Sequence, residues 1–433
     1  MMSDDALLYY NDKQNGKYTK DDIKWIITVP AIWNEYGKQY MRHYAKKAGL
    51  NSVVIALEPE AASLTMFKSN NVEDHFKKKG KVFMLIDAGG YTLDITINEI
   101  IDRNNNLKQL SPPSGGAYGS MKINEHLIKI IEETFTKEKI KELKEKKFYK
   151  WHRILYSIEE TKKSITSFDI DSEYFKFIMP FGTMNWKDKL KYYIFGNKMF
   201  TKPTSYGDIT YNDGNTLYIP KEIFKNIILS VVTKTIEHLK MLIKEFPNID
   251  LIVLVGGFSN NILLKEEIKK NFNITFRQLT RPELTIMEGA VKYGFKPNQI
   301  VSRKSPYTIG TDVCKDKYDD TCIVFSTFIQ KGYDIKNNQV VAKEYLPHNE
   351  EQDSISFSLY FSTKENPKFT NEEGVLKMSE FSMKINEEEK KLPLKERLFE
   401  LQMEFGSCIL VRGINKNFIK YININFLIFY KVG

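Results

Sequence analysis

Three short stretches of this chain hold residue types suited to phosphate chemistry. "LIDAGGYTLDITI" places Asp87 and Asp94 on either side of a turn that contains Gly89, Gly90 and Thr92. "LVGGFSNN" sets Gly256 and Gly257 directly after an apolar run, with Phe258 next. "ALEPEAAS" puts Glu58 at the end of another apolar run, ahead of Pro59. Glycine lets backbone N–H groups approach an anion closely, and a helix N-terminus adds a favourable dipole. The magnesium of a polyphosphate takes hard oxygen ligands, often carboxylates acting through water. Asp87 and Asp94 suit that ion, the Thr92 hydroxyl suits a phosphate oxygen, and Glu58 suits the orientation of an attacking water. Taken singly, each feature has a plainer reading: an ordinary hairpin for the glycines, a helix N-cap for Glu58.

Those residues need strand ends to hold them. Val82 to Ile86 is wholly apolar, as in a strand covered on both faces, and Leu93 to Asn98 alternates with period two. Trp25 to Val29 and Val53 to Leu57 read as further strands, and Leu251 to Val255 as a buried one. Helices are expected over Asn34 to Leu50, with Asn34 as cap, and from Pro59, where proline suits the first turn. Ser120 to Phe148, Trp151 to Thr166, Lys221 to Phe246, the stretch from about Asn261, and Pro282 to Tyr293 read as helical too. Asp171 to Pro220 is irregular by pattern. After Gly310 short alternating runs predict a β-rich module, with "NEEEKKLPLKE" as a solvated loop. Ligands in such α/β sheets gather at the carboxyl ends of strands, where all three stretches lie.

Bulk properties narrow the classes. With 433 residues, 42% hydrophobic and 27% charged, the chain is long enough for two or three globular domains. Its net charge of +9 is dispersed, and the densest lysine run, Lys137 to Lys150, interleaves glutamates. That pattern fits a solvated helix face, so no nucleic-acid partner is expected. The three cysteines have no metal spacing, and their odd number suits a reducing compartment. An acidic, polar N-terminus does not read as a signal peptide, and the apolar C-terminal run falls short of the roughly 20 residues that span a bilayer. A cytoplasmic protein without membrane association is expected. No G-x-x-x-x-G-K-[ST], no G-x-G-x-x-G and no nucleophile elbow is present, and the six histidines do not cluster.

The order of motifs adds a resemblance. "WIITVPAIWNEYGKQYMRHYAKKAGL", "VIALEPEAASL", "LIDAGGYTLDITI" and "LIVLVGGFSNNILLKEEI" resemble the ATPase domain of the 70-kilodalton heat-shock (DnaK-type) chaperones. With "SGGAYGS", they resemble most the divergent twelfth-member branch of that family. The likeness runs over about residues 24–312, ending at "PYTIGT", and continues weakly into strands like those of the family's peptide-binding β-sandwich. It implies an actin-like fold of two α/β lobes with RNase H-like architecture, here 1–110 and 111–310, followed by a β-rich module over 311–433. It implies ATP and magnesium as ligands, unfolded peptides as clients, and co-chaperones as partners. By position, Glu58 and Asp87 match catalytic carboxylates, and Asp87, Gly89, Gly90, Thr92 and Asp94 match the second phosphate loop, with both aspartates near the metal. Gly116 falls in the SGG segment. Glu159, Lys162, Lys163 and Thr166 match the helix that contacts adenosine, though the residues alone read as an exposed helix face. Gly256, Gly257 and Phe258 match the adenine loop.

Three departures shape the expectation. Tyr91 stands where the second phosphate loop has a third glycine, and a Cβ resists positive φ. Residues 1–24 contain neither the Asp-x-Gly-Thr-Thr hairpin nor the catalytic lysine that the family places ahead of the VPA strand. No long helical lid follows the last strands. The reading is an ATP-binding chaperone-like protein with an incomplete first lobe and impaired hydrolysis. A nucleotide-independent interaction scaffold built on the same fold is the alternative. An actin-like sugar or acid kinase shares the cleft but not the C-terminal module.

Overall fold

The computed structural model describes residues 2–14, 16, 18–135, 137–165, 173–179, 199–212, 216–314, 323–405, 409–415 and 420–424. It is mixed α/β with several sheets. Backbone proximity divides the chain into two compact units. One comprises Met1–Leu85, Ile95–Ser114 and Thr285–Gly433; the other comprises Ile86–Asp94 and Gly115–Leu284.

In the first unit, strands Lys24–Val29 and Ser52–Leu57 run parallel, in register from Lys24 against Ser52 to Val29 against Leu57. Helix Glu35–Lys47 connects them, and the Asn34 side chain caps it by accepting from the Gly37 N–H at 3.0 Å. Helix Glu58–Met66 follows the second strand at once, with proline in its first turn and Pro59 through Met66 buried. It packs against helix Thr285–Phe295, and the approach is close enough that a Cβ on Gly289 would lie 1.8 Å from the Ala61 carbonyl oxygen. Only glycine allows backbones to meet that closely. Strands Leu107–Gln109, Ile300–Lys304 and Asp334–Lys336 continue from the Asn98–Ile100 end of strand Leu93–Ile100.

The alternating C-terminal runs form two four-stranded antiparallel sheets. The first has the order Ile323–Ile329, Thr308–Cys314, Ser354–Ser362, Val375–Lys384; the second has Gln339–Tyr345, Phe399–Phe405, Ile409–Asn415, Lys420–Ile424. Strict alternation along Phe399–Phe405 turns Phe399, Leu401, Met403 and Phe405 into one core with Phe357, Leu359 and Met383. Tyr36 packs against this core and donates to the Lys377 carbonyl at 2.6 Å.

The second unit carries helices Met121–Phe135, Lys137–Lys146 and Phe148–Ser164 where two helical stretches were expected. Strands Tyr174–Ile178, Thr216–Pro220, Gly207–Tyr211 and Phe200–Thr204 form an antiparallel sheet in that order. The span that lacked a readable pattern is therefore partly strand: cross-strand aromatic packing, such as Phe200 stacked on Tyr211, stands in for alternation. Helix Lys221–Glu245 leads to strand Leu251–Val255, which pairs in parallel with Phe276–Gln278. Helix Ile262–Asn271 is capped by Asn261, which accepts from the Leu264 N–H.

One expectation is corrected in the first unit. The "NEEEKKLPLKE" stretch is not simply a solvated loop. Asn386 and Glu389 form a reciprocal capping box, and helix Glu387–Lys390 follows from it. The buried Arg397 guanidinium then donates to the carbonyls of Leu392, Glu350 and Lys390. Polar composition hid a segment ordered by its own hydrogen bonds.

Candidate functional site

Asp87 lies one residue inside the end of strand Val82–Ala88, and Asp94 one residue inside the start of Leu93–Ile100. Both carboxylates are buried, at 3% and 1% exposure. Gly89 and Gly90 lie between them, and the Gly89 N–H donates to the Thr92 carbonyl at 3.0 Å. That bond closes the turn and takes this N–H away from any incoming anion. Tyr91 does not adopt positive φ; among the described non-glycine residues only Asn105, Arg281 and Asn338 do. The residue is 76% exposed. The tyrosine therefore neither strains the turn nor fills the space beneath it.

The segment 119–121 holds the turn from the other side. Gly119 N–H donates to Tyr91 O (3.2 Å), Ser120 N–H to Gly89 O (3.2 Å) and Met121 N–H to Gly90 O (2.8 Å). These are donors at the start of helix Met121–Phe135, whose first N–H groups have no partner within the helix. Gly116 lies just upstream, half-buried beside the Tyr118 ring.

The second glycine pair joins the same turn. Gly256 has φ +82, and a Cβ there would lie 2.5 Å from both the Asp87 Oδ1 and the Ala88 carbonyl oxygen. Its peptide is fixed on both sides: its N–H donates to Pro282 O at 3.0 Å, and its carbonyl accepts from the Ser259 hydroxyl at 2.6 Å. Gly257, by contrast, has nothing within 4 Å of a Cβ position, and Phe258 is buried. The two glycine bends are thus neighbours.

On helix Phe148–Ser164 the two lysines part company. Lys162 has a side chain only 9% exposed and donates to Glu159 Oε1 (2.9 Å), Asn124 Oδ1 (2.6 Å) and Ser120 O (3.3 Å). Asn124 in turn donates to Glu159 Oε1 at 2.6 Å. Lys163 is 74% exposed, with Glu160 at 3.8 Å. Burial pushes the Lys162 ammonium below its ordinary pKa, against the pull of Glu159. Burial would raise Glu159, but the Asn124 amide and the Lys162 ammonium outweigh it and hold the carboxyl below its ordinary value. Thr166 lies outside the described residues.

Glu58 belongs to the first unit. It is half-buried at the first position of helix Glu58–Met66, and the cap is Leu57, so the N-cap alternative for Glu58 does not apply. Two residues on, Glu60 forms a buried pair with Arg303 (Nε–Oε1 2.6 Å, Nη2–Oε2 3.0 Å), with Gln109 and Tyr293 joining the network. Burial opposes the Arg303 charge, but Glu60 outweighs it and holds the guanidinium above its ordinary pKa.

The structure places Gly256 against Asp87, with Asp94 at the other end of the same turn, while Ser120, Asn124 and Glu60 are not among the candidates read from sequence. The signals were present: Asn124 falls at a core-facing position of a helix with Ile123, Leu127 and Ile131 buried, and Glu60 sits among buried apolar residues. A polar residue inside an apolar face needs a partner.

The donor set can be tested against a magnesium nucleotide. Two buried carboxylates on one turn, with no cluster of three or more His, Cys, Asp or Glu ligands among the described residues, fit a hydrated ion that takes its remaining ligands from phosphate. They do not form a protein cage for a metal alone.

The sequence is similar to known proteins. The Hsp70 protein family profile matches residues 6–192, a span that includes Glu58, the Asp87–Asp94 turn and the Phe148–Ser164 helix. The chain is 24% identical over 474 residues to heat shock 70 kDa protein 12A of Homo sapiens, covering 93% of this chain and 70% of that protein. To the Mus musculus protein of the same name it is 25% identical over 445 residues, covering 86% and 65%. To heat shock 70 kDa protein 12B of Homo sapiens it is 23% identical over 443 residues, covering 84% and 64%. The chain thus spans only part of each relative's length. Among the described residues, no helix is long and apolar enough to cross a membrane.

Proposed function

The chain is a divergent member of the Hsp70 family, on the heat shock 70 kDa protein 12 side of it, and from that premise we propose that it binds ATP with magnesium and acts as a chaperone-like protein in the cytoplasm. One observation carries the reading: Gly256 abuts the Asp87 carboxylate, so a strand-end glycine bend and a buried acidic turn share one place. Asp87 and Asp94 would hold the ion through water, Thr92 and the turn backbone would meet phosphate oxygens, and Gly257 with Phe258 would border the base. When bound, magnesium would neutralise charge on the phosphates. Glu58 would orient the attacking water in hydrolysis, and unfolded peptides would be clients of the C-terminal sheets.

Titration of ATP into the protein with magnesium tests this. Wild-type protein binds at sub-millimolar ATP, and Asp87→Asn, which keeps the shape and removes the charge, weakens binding by roughly tenfold or more, the scale of one charged contact. A folded wild-type protein with no binding at millimolar ATP would sink the reading. The second reading is a nucleotide-independent scaffold built on the same fold. It is what that negative result would leave.

A further inference from the structure

By its matching position Lys162 is a candidate ligand of the adenosine, yet its surroundings describe a different task. An ammonium has three N–H donors. All three are matched here by protein acceptors: Glu159 Oε1, Asn124 Oδ1 and the Ser120 carbonyl, at 2.9, 2.6 and 3.3 Å. Asn124 is held at both ends of its amide, since its Nδ2 donates to the same Glu159 oxygen. Ser120 is the middle residue of the three whose N–H groups grip the carbonyls of Gly89, Gly90 and Tyr91. A continuous path of hydrogen bonds therefore runs from helix Phe148–Ser164, through Lys162 and Ser120, to the turn between the two buried aspartates.

We propose that Lys162 is a positioning residue, a strut that sets the Gly89–Tyr91 turn through Ser120 and Asn124, and not a ligand of the adenosine. A lysine 9% exposed, with its donors spent inside the fold, has no N–H to offer a base or ribose without breaking this path. The functional consequence rests on the nucleotide reading above: the residue serves the phosphate end of the site although it lies on the helix assigned to the nucleoside end. Lys163, 74% exposed on the same helix, makes none of these contacts.

The experiment compares the affinities of ATP and of adenosine for Lys162→Met. As a strut, Lys162 matters only to the phosphate turn, so ATP weakens by roughly tenfold or more, the scale of a charge-assisted hydrogen bond, while adenosine is unchanged. Lys162→Arg, which retains donors, recovers part of the loss. Parallel weakening of both ligands overturns the proposal and makes Lys162 a nucleoside ligand. Amide exchange without nucleotide is the second readout: the N–H groups of Gly119, Ser120 and Met121 exchange faster in Lys162→Met and not in Lys270→Met, a lysine exposed on another helix. If the wild type binds no ATP, the nucleotide reading fails and the exchange rates alone decide the strut, with unchanged protection refuting it. If Lys162→Met does not fold, Lys162→Gln is read in both assays with the same outcomes.

Discussion

Replacing Gly256 with alanine probes the place where the two glycine bends meet. The added Cβ would lie 2.5 Å from Asp87 Oδ1 and 2.5 Å from the Ala88 carbonyl oxygen, inside any tolerable contact. The backbone there has φ +82, where an L-residue pays roughly 1–2 kcal/mol. Overpacking typically adds about 1–3 kcal/mol. The Gly256 peptide cannot swing aside freely, because Pro282 and Ser259 hold both its faces. The expected total is therefore about 2–5 kcal/mol, taken either as lost stability or as displacement of the Asp87 carboxylate. Urea unfolding reads the first, and titration with magnesium and ATP reads the second. Gly257→Ala is the companion: with nothing within 4 Å and no positive φ, it should leave stability within about 0.5 kcal/mol, while ATP weakens if a ligand lies against that backbone. Full stability together with full ATP affinity in Gly256→Ala would refute the reasoning, as would equal destabilisation by both substitutions.

Two further outcomes follow from charged groups in the first unit. Arg303→Met strands the buried Glu60 carboxylate and should cost about 3–5 kcal/mol in urea unfolding, whereas Glu60→Leu with Arg303→Met should recover most of it; a single-mutant loss under about 1 kcal/mol would show that the pair is not buried in solution. Glu372 accepts from the Lys368 and Phe369 N–H groups and from Lys364, and these bonds, led by the Lys364 ammonium, hold its carboxyl down at about 2. Because the folded value lies below the ordinary 4.5, its contribution is complete above that pH and is lost as pH falls towards 2. Amide spectra of Lys368 and Phe369 should stay native at pH 3, and loss of their signals near pH 4.5 would contradict the assignment.

Local patterns carried much of this architecture. The apolar run Leu251–Val255 is the strand as read, and the Asn34 and Asn261 caps start their helices where side-chain chemistry says they must. Less was legible wherever long-range partners decide. Nothing near Glu60 announces Arg303, which lies far along the chain, and nothing near Lys162 announces Ser120. Tyr91 shows the converse: composition alone suggested strain, but the turn is closed by the Gly89–Thr92 bond without left-handed residues, so a side chain is tolerated. Two lysines with the same apparent helical face also proved inequivalent, because one meets the core-facing Asn124 and the next meets solvent.

The close approach of Gly289 to Ala61 has a bearing on biosynthesis. The unit that contains it is assembled from three separate stretches of chain, and the parallel pair Lys24–Val29 and Ser52–Leu57 shares that unit with helix Thr285–Phe295. The second unit draws almost entirely on one continuous stretch, so its loops close at lower entropic cost. As the polypeptide emerges from the ribosome, strands Lys24–Val29 and Ser52–Leu57 and helix Glu58–Met66 therefore lack the cover of helix Thr285–Phe295 until that helix has been made. That delay is when chaperones already present in the cell would be needed most.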